Sequence, residues 1–243
     1  MDPLTATAAS GLRARMESLD LLANNVANAA TGGYKADREF YSLYAAPEAA
    51  DNTASTMPVI ERPWVDLSQG LVHETGSPSD LALSGPGFFT VNGPSGPLYT
   101  RNGSFRVSPA GTLTTADGYA VSSGAGTPIT LQHGRPFEIA ADGTIRQDGN
   151  VVGKLEVVDF TGADRLVKQG ANYFRPSDPA LRPQTPTGTA VEQGKLEASN
   201  TGSAEAAVRL VSVMRQFEML QKAVSLAGEM NQQSIQQVAK VGS

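Results

Sequence analysis

The sequence predicts a mainly β fold, in which a small antiparallel β domain is flanked by long N- and C-terminal α-helices that pair in an assembly. Apolar residues recur at helical spacing near both ends of the chain. Between these ends apolar residues alternate, and Asn-Gly and Asp-Gly dipeptides supply turns that suit tight hairpins. The 25 glycines and 15 prolines also indicate many turns.

The first predicted element is an N-terminal helix from about Pro3 to Ala30, within a segment of residues 1–44. Its apolar residues recur every three or four positions and form one stripe: Leu12, Met16, Leu19, Ala23, Val26 and Ala30. The pair Gly32-Gly33 is expected to stop the helix, because glycine adopts the left-handed conformation without strain.

The middle of the chain divides into a linker and a β domain. Residues 45–70 are predicted to be a linker or extended arm, because residues 45–56 offer almost nothing to bury. Residues 71–182 are predicted to form the antiparallel β domain. Within it, Asp142-Gly143 and Asp148-Gly149 are close enough to be the corners of consecutive hairpins.

The C-terminal part consists of a predicted return linker, residues 183–202, and a predicted helix, residues 203–243. No proline follows Pro186, so nothing in the sequence interrupts a long helix. Its apolar stripe comprises Leu210, Val213, Phe217, Leu220, Val224 and Ala227. Two stripes with this heptad-like spacing indicate coiled-coil pairing, either within one subunit or between subunits.

Composition excludes several classes of function. The chain has no cysteine, so it forms neither disulfides nor thiolate metal sites. A net charge of −5 argues against a nucleic-acid partner. Its start lacks the pattern of a secretory signal peptide, and no apolar run is long enough to span a bilayer.

The sequence offers no pattern of catalytic or ligand-binding residues. The two histidines, His73 and His133, stand in no metal-ligand spacing. The glycine-rich segment from Gly188 to Lys195 lacks the spacing and the hydroxyl residue of a phosphate-binding loop. We therefore expect no enzyme activity, no cofactor, no metal and no small-molecule substrate.

Motifs along nearly the whole chain resemble those of bacterial flagellar rod and hook proteins, and they occur in the same order. They are Ala23-Asn-Asn-Val-Ala-Asn28 with Thr31 and Gly33-Tyr-Lys35; Asp80 to Phe89; Tyr99-Thr-Arg-Asn-Gly-Ser-Phe105; Gly111-Thr-Leu113; Asp142 to Ile145 with Gly153-Lys-Leu155; and Gly194-Lys-Leu-Glu-Ala-Ser-Asn200 with Arg215. Length and the single small β domain favour two similar rod proteins of this family. The segment of residues 36–44 favours one of those two.

The resemblance implies a structural subunit of a tube that crosses the bacterial envelope as part of the flagellar basal body. In such proteins the terminal helices pack together at the inner wall, and the β domain lies outside them. The implied partners are other rod proteins, further copies of this chain and the flagellar export apparatus. Export of this kind uses no cleaved signal peptide.

The candidate functional site is an assembly interface formed by the two helices. It comprises Leu12, Met16, Leu19, Ala23, Asn24, Asn25, Val26 and Asn28 near the start, and Leu210, Val213, Phe217, Leu220, Val224 and Ala227 near the end. The three asparagines are expected to form hydrogen bonds between helices or at a helix cap; the alternative is a frayed polar helix end.

Two other classes of protein fit the sequence less well. A secreted β-rich adhesin or carbohydrate-binding module with helical arms would need an exposed aromatic platform, and the single tryptophan, Trp64, precedes the β domain. A small hydrolase would need a nucleophile with a base at a suitable spacing, and the sequence has none.

Overall fold

Strands run through the middle of the protein, and one α-helix lies near each end, as the sequence predicts for a mainly β chain with terminal helices. The computed structural model describes residues 3–39, 41–45, 56–60, 63–162, 165–170 and 172–241. They form two compact units. The first comprises Met1–Ala27, Asp37–Trp64 and Ser203–Ser243; the second comprises Asn28–Ala36 and Val65–Gly202.

The helices are α1 (Pro3–Ala27) and α2 (Ser203–Val241). The strands of the first half are β1 (Asp37–Arg38), β2 (Tyr41–Ala45), β3 (Thr56–Ile60), β4 (Trp64–Val65), β5 (Val72–Glu74), β6 (Leu81–Ser84), β7 (Phe88–Gly93), β8 (Gly96–Thr100), β9 (Arg106–Val107), β10 (Leu113–Thr114) and β11 (Ala120–Val121). Those of the second half are β12 (Phe137–Ile139), β13 (Thr144–Gln147), β14 (Asn150–Lys154), β15 (Val157–Val158), β16 (Leu166–Gln169), β17 (Tyr173–Pro176), β18 (Ala190–Gln193) and β19 (Lys195–Glu197).

The first unit contains both helices and a β-hairpin. Helix α1 contacts α2 and also β3. Strands β2 and β3 pair antiparallel, with Tyr41 opposite Ile60. The predicted linker of residues 45–70 therefore contains a strand, because the β-branched residues Val59 and Ile60 favour extended backbone and β2 supplies its hydrogen-bonding partner. Residues 46–55 of that linker lie outside the described residues.

Helix α1 ends at Ala27, three residues before the predicted end at Ala30. A turn replaces the last helical residues: the Thr31 amide donates to the Asn28 carbonyl at 3.0 Å. The Thr31 hydroxyl also donates to the Asn28 side-chain oxygen at 3.3 Å. Threonine and asparagine compete with helical hydrogen bonds in this way, so the chain leaves the helix before it reaches Gly32.

The second unit is built on an antiparallel sheet with the strand order β16-β17-β8-β7-β11-β10-β9. Strand β7 is its centre: Val91 pairs with Leu98 of β8 and also with Val121 of β11. At the beginning of β7, strand β15 takes the place of β11 as a partner, with Phe89 opposite Val157. All of these pairings are antiparallel, which confirms the predicted strand arrangement.

Three further strands, β12, β13 and β14, form the consecutive hairpins that the sequence predicts. Asp142-Gly143 lies between β12 and β13, and Asp148-Gly149 lies between β13 and β14. Asp148 and Gly149 have φ values of 52° and 80°. Left-handed residues at both central positions match the twist of a two-residue hairpin, so the prediction from the Asp-Gly dipeptide is confirmed.

The chain returns toward α2 through two strands, which lie within the predicted return linker of residues 183–202. Strand β18 pairs with β6, with Val191 opposite Leu83. Strand β19 pairs with β5, with Leu196 opposite His73. Val191 is buried, so the return segment adds to the core as well as to the strand pairing.

Two apolar clusters fill the second unit. The larger surrounds Leu81, Phe89 and Phe105, and the rings of Phe89 and Phe105 meet edge to face with centroids 5.2 Å apart. The smaller surrounds Phe88, Tyr99 and Phe174. Because residues 88 and 89 are neighbours in β7, their side chains point to opposite faces and reach different clusters.

The corner at Asp142 gives a first prediction. Two hydrogen bonds from Thr144 and a weaker contribution from Lys154 lower the pKa of the Asp142 carboxyl from 3.8 to about 2. Replacing Thr144 with Val removes the hydroxyl donor, so the pKa of Asp142 should rise toward 3.8. Lys154→Met is the control and should raise it less, since that amine lies 3.4 Å away. NMR titration of the carboxyl measures both shifts; a larger shift in the lysine variant would contradict the prediction.

The sign of the pH effect follows from this lowered pKa. A carboxyl whose pKa is depressed by folding adds stability above its unfolded pKa and loses it as the pH falls through the folded value. The hairpin corner should therefore loosen between about pH 4 and pH 2. Because the carboxyl is fully exposed, solvent screens the effect.

Candidate assembly interface

The predicted stripe of α2 lies on the less exposed side of that helix, which we call its inner face. Val213 is buried, and Leu210, Phe217, Leu220 and Val224 are half-buried. The side chain of Ala227 lies outside the described ones. Since α2 contacts α1 in the same unit, this face is engaged within the subunit itself.

A second apolar stripe, which we call the outer stripe, runs along the opposite side of α2. At 3.6 residues per turn its members project away from Val213. They are Val208, Val211, Met219, Leu226 and Met230. Val208 is 72% exposed, Met219 is 62% exposed and Met230 is 68% exposed. A surface helix normally carries polar residues on that side, so a long exposed apolar stripe indicates a binding surface.

In helix α1 the predicted stripe is instead the more exposed side of the helix. We call Leu12, Met16, Leu19, Ala23 and Val26 the α1 stripe. Met16 is 55% exposed, Ala23 is exposed, and the other three are half-buried. The buried residues of α1 are instead Ala14, Ser18, Leu22 and Asn25.

Sequence reasoning missed the buried side of α1 because only one of its four residues, Leu22, is a large apolar one. Small residues such as Ala14 and Ser18 allow a neighbouring element to approach the helix closely, but they contribute little to a hydrophobic pattern. The spacing of these residues, every three or four positions, was the available signal.

The three asparagines of the predicted interface have different surroundings. Asn25 is buried, and its side chain exchanges two hydrogen bonds with the backbone of Asp37, at 2.8 and 2.9 Å. These bonds fix the start of β1 against the end of α1. Asn28 accepts a hydrogen bond from Thr31 in the turn after the helix. Asn24 is exposed.

The segments next to the helices meet within the second unit, at a contact that we call the connector junction. It consists of residues 33–36, which follow α1, residues 66–70, and residues 197–200, which precede α2. The Gly33 amide donates to the Glu197 carbonyl at 2.7 Å, and the Asn200 amide donates to the Tyr34 carbonyl at 3.2 Å. The Asp66 amide donates to the Ala36 carbonyl at 2.8 Å.

Asn200 joins all three segments of the connector junction. Its side-chain oxygen accepts from the Ala36 amide at 2.7 Å. Its side-chain nitrogen donates to the Asp66 carbonyl at 2.7 Å and to the Ser68 carbonyl at 3.2 Å. A carboxamide can donate and accept together, so aspartate or leucine at this position would lose one or both sets of bonds.

A buried ion cluster lies at the centre of the connector junction. It comprises Lys35, Glu197 and Arg101; the lysine and glutamate side chains are completely buried. The Lys35 amine donates to the Glu197 carboxylate at 2.5 Å, and the Arg101 guanidinium donates to the other carboxylate oxygen at 3.4 Å. The cluster thus links residues that are distant in sequence.

Backbone groups complete the ion cluster. The Lys35 amine also donates to the Ser68 carbonyl at 2.7 Å, and Arg101 donates to the Gly85 carbonyl at 2.7 Å. The Glu197 carboxylate accepts from the Gly70 amide at 2.9 Å. These directional bonds tie the side chains of the cluster to fixed points on the surrounding backbone.

Burial weakens the charged form of both cations. Burial lowers the pKa of Lys35, and the attraction of Glu197 offsets only part of that effect. Burial likewise lowers the pKa of Arg101. A lysine whose pKa is lowered by folding adds stability only above its unfolded pKa of 10.5, and loses it as the pH falls through the folded value. This contribution to folding stability is therefore greatest above pH 10.5 and decreases as the pH falls below that value.

Gly33 lets the chain approach the junction closely. Its φ is +66°, and a Cβ there would lie 2.7 Å from the Arg101 carbonyl oxygen and closer still to the Asn102 nitrogen. Gly32 differs: a Cβ there would meet the Asn102 side chain at 3.4 Å, an ordinary contact. Of the predicted Gly32-Gly33 stop, only the second glycine is required by its conformation and surroundings.

The described residues contain neither a group suited to a metal ion nor a membrane-spanning helix. Within that part of the chain, no three His, Asp or Glu residues come together in a group that could hold a metal ion. Neither described helix combines the length and the apolar character that crossing a bilayer requires.

Three family models match successive parts of the chain. The model for a flagella basal body rod protein matches residues 6–35. The model for the flagellar hook protein FlgE/F/G D1 domain matches residues 82–153. The model for the flagellar basal body rod FlgEFG protein C-terminal region matches residues 192–237. The matched ends contain most of α1, Lys35, Glu197 and most of α2.

Curated relatives match over nearly their whole length. The flagellar basal-body rod protein FlgF of Caulobacter vibrioides is 31% identical over 92% of this chain and 92% of its own length. The chain belongs to the flagellar basal-body rod protein family. The Escherichia coli FlgF protein is 33% identical over 96% of this rod protein and 98% of its own length. The FlgG protein of Caulobacter vibrioides is 30% identical over 95% and 97%.

Membership of this family confirms the resemblance to flagellar rod and hook proteins that the sequence motifs indicate. Flagellar rod proteins are structural components of the basal body and belong to no enzyme class. Among these relatives the rod protein is most like FlgF, which is the family member favoured by residues 36–44. The matches leave the alternative of an adhesin or carbohydrate-binding module without support.

Lys35, Glu197 and Asn200 belong to motifs near the two ends of the chain, but the sequence patterns assign them no role. The signal was present, since each terminal motif combines charged or amide side chains with glycine beside a helix. The structure supplies the missing fact that the two motifs contact each other.

Proposed function

We propose that this rod protein is the FlgF-type subunit of the flagellar rod and that it assembles into a tubular axial structure through α1 and α2. The observation that carries the proposal is the pair of exposed apolar stripes on the two helices of one subunit. Each helix uses one side within the subunit and leaves a second apolar side exposed.

The two exposed stripes suit each other as partners in neighbouring subunits. We expect the α1 stripe of one subunit to pack on the outer stripe of α2 in the next. A contact between two different surfaces repeats from subunit to subunit and generates rings or helical tubes. Burial of apolar surface stabilises such a contact by about 25 cal/mol per Å².

Side-chain type supports the same pairing. Met219 and Met230 are flexible and adapt to irregular surfaces. That adaptability suits a subunit whose neighbours include other rod proteins as well as copies of itself.

Location and export belong to the same proposal. The subunit would lie in the part of the rod that crosses the periplasm, after passage through the flagellar export apparatus without a cleaved signal peptide. The absence of cysteine supports this, because the folded subunit then needs no oxidative step after export.

Localisation in isolated basal bodies tests the proposal. An epitope inserted after Ala125, an exposed residue in the turn before Gly126, avoids both helices and the connector junction. In the bacterium of origin, we expect gold-labelled antibody to decorate the rod, and deletion of the gene to abolish motility. Motile cells after deletion, or basal bodies without label although the tagged chain restores motility, would overturn it.

A further inference from the structure

The ion cluster of Lys35, Arg101 and Glu197 is unusual because it buries two cations with one carboxylate. The lysine and glutamate side chains are fully shielded from solvent, and the Arg101 side chain is 4% exposed. The Nε atom of Arg101 has no hydrogen-bond partner among the described residues. Removing these charges from water costs free energy that the attraction between them does not fully offset.

The cluster is nevertheless rich in directional contacts. Glu197 bonds both cations and the Gly70 amide, and Lys35 bonds the Ser68 carbonyl. An apolar cluster of similar size would fill the same space without fixing any of these distances or angles. Directional bonding, rather than net stabilisation, is therefore what the charges contribute.

The ion cluster lies where the chain leaves α1 and where it enters α2, so its directional bonds act at the base of both helices. Lys35 lies in the segment that follows α1, and Glu197 lies in the segment that precedes α2. We propose that Lys35 and Glu197 are positioning residues, which hold the starting points of the two helical arms in the one arrangement that allows a subunit to join the rod. Arg101 and the carbonyls of Ser68 and Gly85 anchor the pair to the β unit.

The inference rests on the proposed function, because it gives the junction a role in assembly. It adds that assembly depends on a buried charge pair that touches no neighbouring subunit. A residue with a purely structural role would lower folding stability when replaced. A positioning residue would instead change assembly while stability remains.

A neutralised lysine provides the test. In the full chain, Lys35→Met removes the Lys35–Glu197 ion pair, while Arg101 remains to balance the Glu197 charge. The matched control is Lys195→Met, which removes the half-exposed ion pair of Lys195 and Glu192, whose charged groups lie 3.0 Å apart. Three quantities are measured: the unfolding midpoint in urea, hydrogen exchange at the Gly33 and Asn200 amides, and incorporation into isolated basal bodies.

For Lys35→Met we expect an unfolding midpoint close to that of the unchanged chain, because the remaining buried pair of Arg101 and Glu197 is balanced in charge. Exchange at the Gly33 and Asn200 amides should be at least tenfold faster, although their backbone acceptors are retained, and incorporation should fall at least tenfold. The control should match the unchanged chain in all three measurements.

Three outcomes would overturn the inference. A clearly lower unfolding midpoint would show that the Lys35–Glu197 pair stabilises the fold. Unchanged amide exchange would show that the pair does not hold the connector junction, and normal incorporation would show that assembly does not need the pair. Hydrogen exchange is read on the isolated chain. It therefore remains informative even if the unchanged chain is not found in basal bodies, which would count against the proposed function alone.

Discussion

Gly33→Ala should lower the free energy of unfolding of the β unit by at least about 2 kcal/mol. The left-handed backbone at this position costs an L-residue about 1–2 kcal/mol. In addition, the new Cβ would meet the backbone of Arg101 and Asn102 at distances that no relaxed structure tolerates. The nearest atoms are backbone atoms, so the segment that carries Lys35 would have to move. Denaturant unfolding of the full chain measures the loss.

Gly32→Ala is the matched control, because it makes the same change one residue earlier. Its Cβ would meet ordinary contacts at 3.4 and 3.5 Å, and its φ lies outside the left-handed region. We expect its stability to remain within about 0.5 kcal/mol of the unchanged chain. Equal losses of stability in the two variants would show that the close backbone contacts at Gly33 are not the reason that glycine is required there.

Met219→Asp should abolish rod assembly and motility while it leaves the subunit folded. The residue is 62% exposed on the outer stripe of α2, so the isolated chain loses little more than helix propensity, about 0.5 kcal/mol. In the proposed subunit contact the same carboxylate would be buried without a partner, at a cost of several kcal/mol. Thermal unfolding of the purified chain and a motility assay separate the two effects.

Two neighbouring positions sharpen that experiment. Leu220→Asp changes the next residue, which is half-buried on the inner face, and it should lower the stability of the helical unit itself by about 2 kcal/mol or more. Gln221→Asp adds the same charge at an exposed position on neither stripe, and it should leave both stability and motility unchanged. Normal motility of the Met219 variant would refute the outer stripe as an assembly surface.

Local sequence patterns predicted the elements whose structure depends on nearby residues. The Asp148-Gly149 hairpin follows from the conformations that these two residues adopt easily, and the start of α2 at Ser203 follows from proline distribution and periodicity. The end of α1 was placed three residues late, because the turn of Asn28 and Thr31 competes with the helix through its own hydrogen bonds.

Contacts between distant segments were beyond the reach of the patterns. The strands β18 and β19 within the predicted return linker of residues 183–202 were not predicted, because their partners, β6 and β5, lie more than a hundred residues earlier in the chain. Lys35 and Glu197 received no role from the sequence for the same reason, since burial of a charge is acceptable only where its partner is in place. The outer stripe of α2 was not predicted either, since the periodicity of apolar residues does not show which of two apolar sides is buried within the subunit.

The connector junction also decides which bonds carry mechanical load. A pull that separates residue 28 from residue 202 acts on residues 28–36 and 197–202, and these segments are joined directly by the Gly33 and Asn200 amides and by the Lys35–Glu197 pair. Tension would therefore pass from one arm to the other across a few hydrogen bonds. The large sheet that contains β7 and β17 lies outside this route, so its strands would carry little of this tension until the junction gives way.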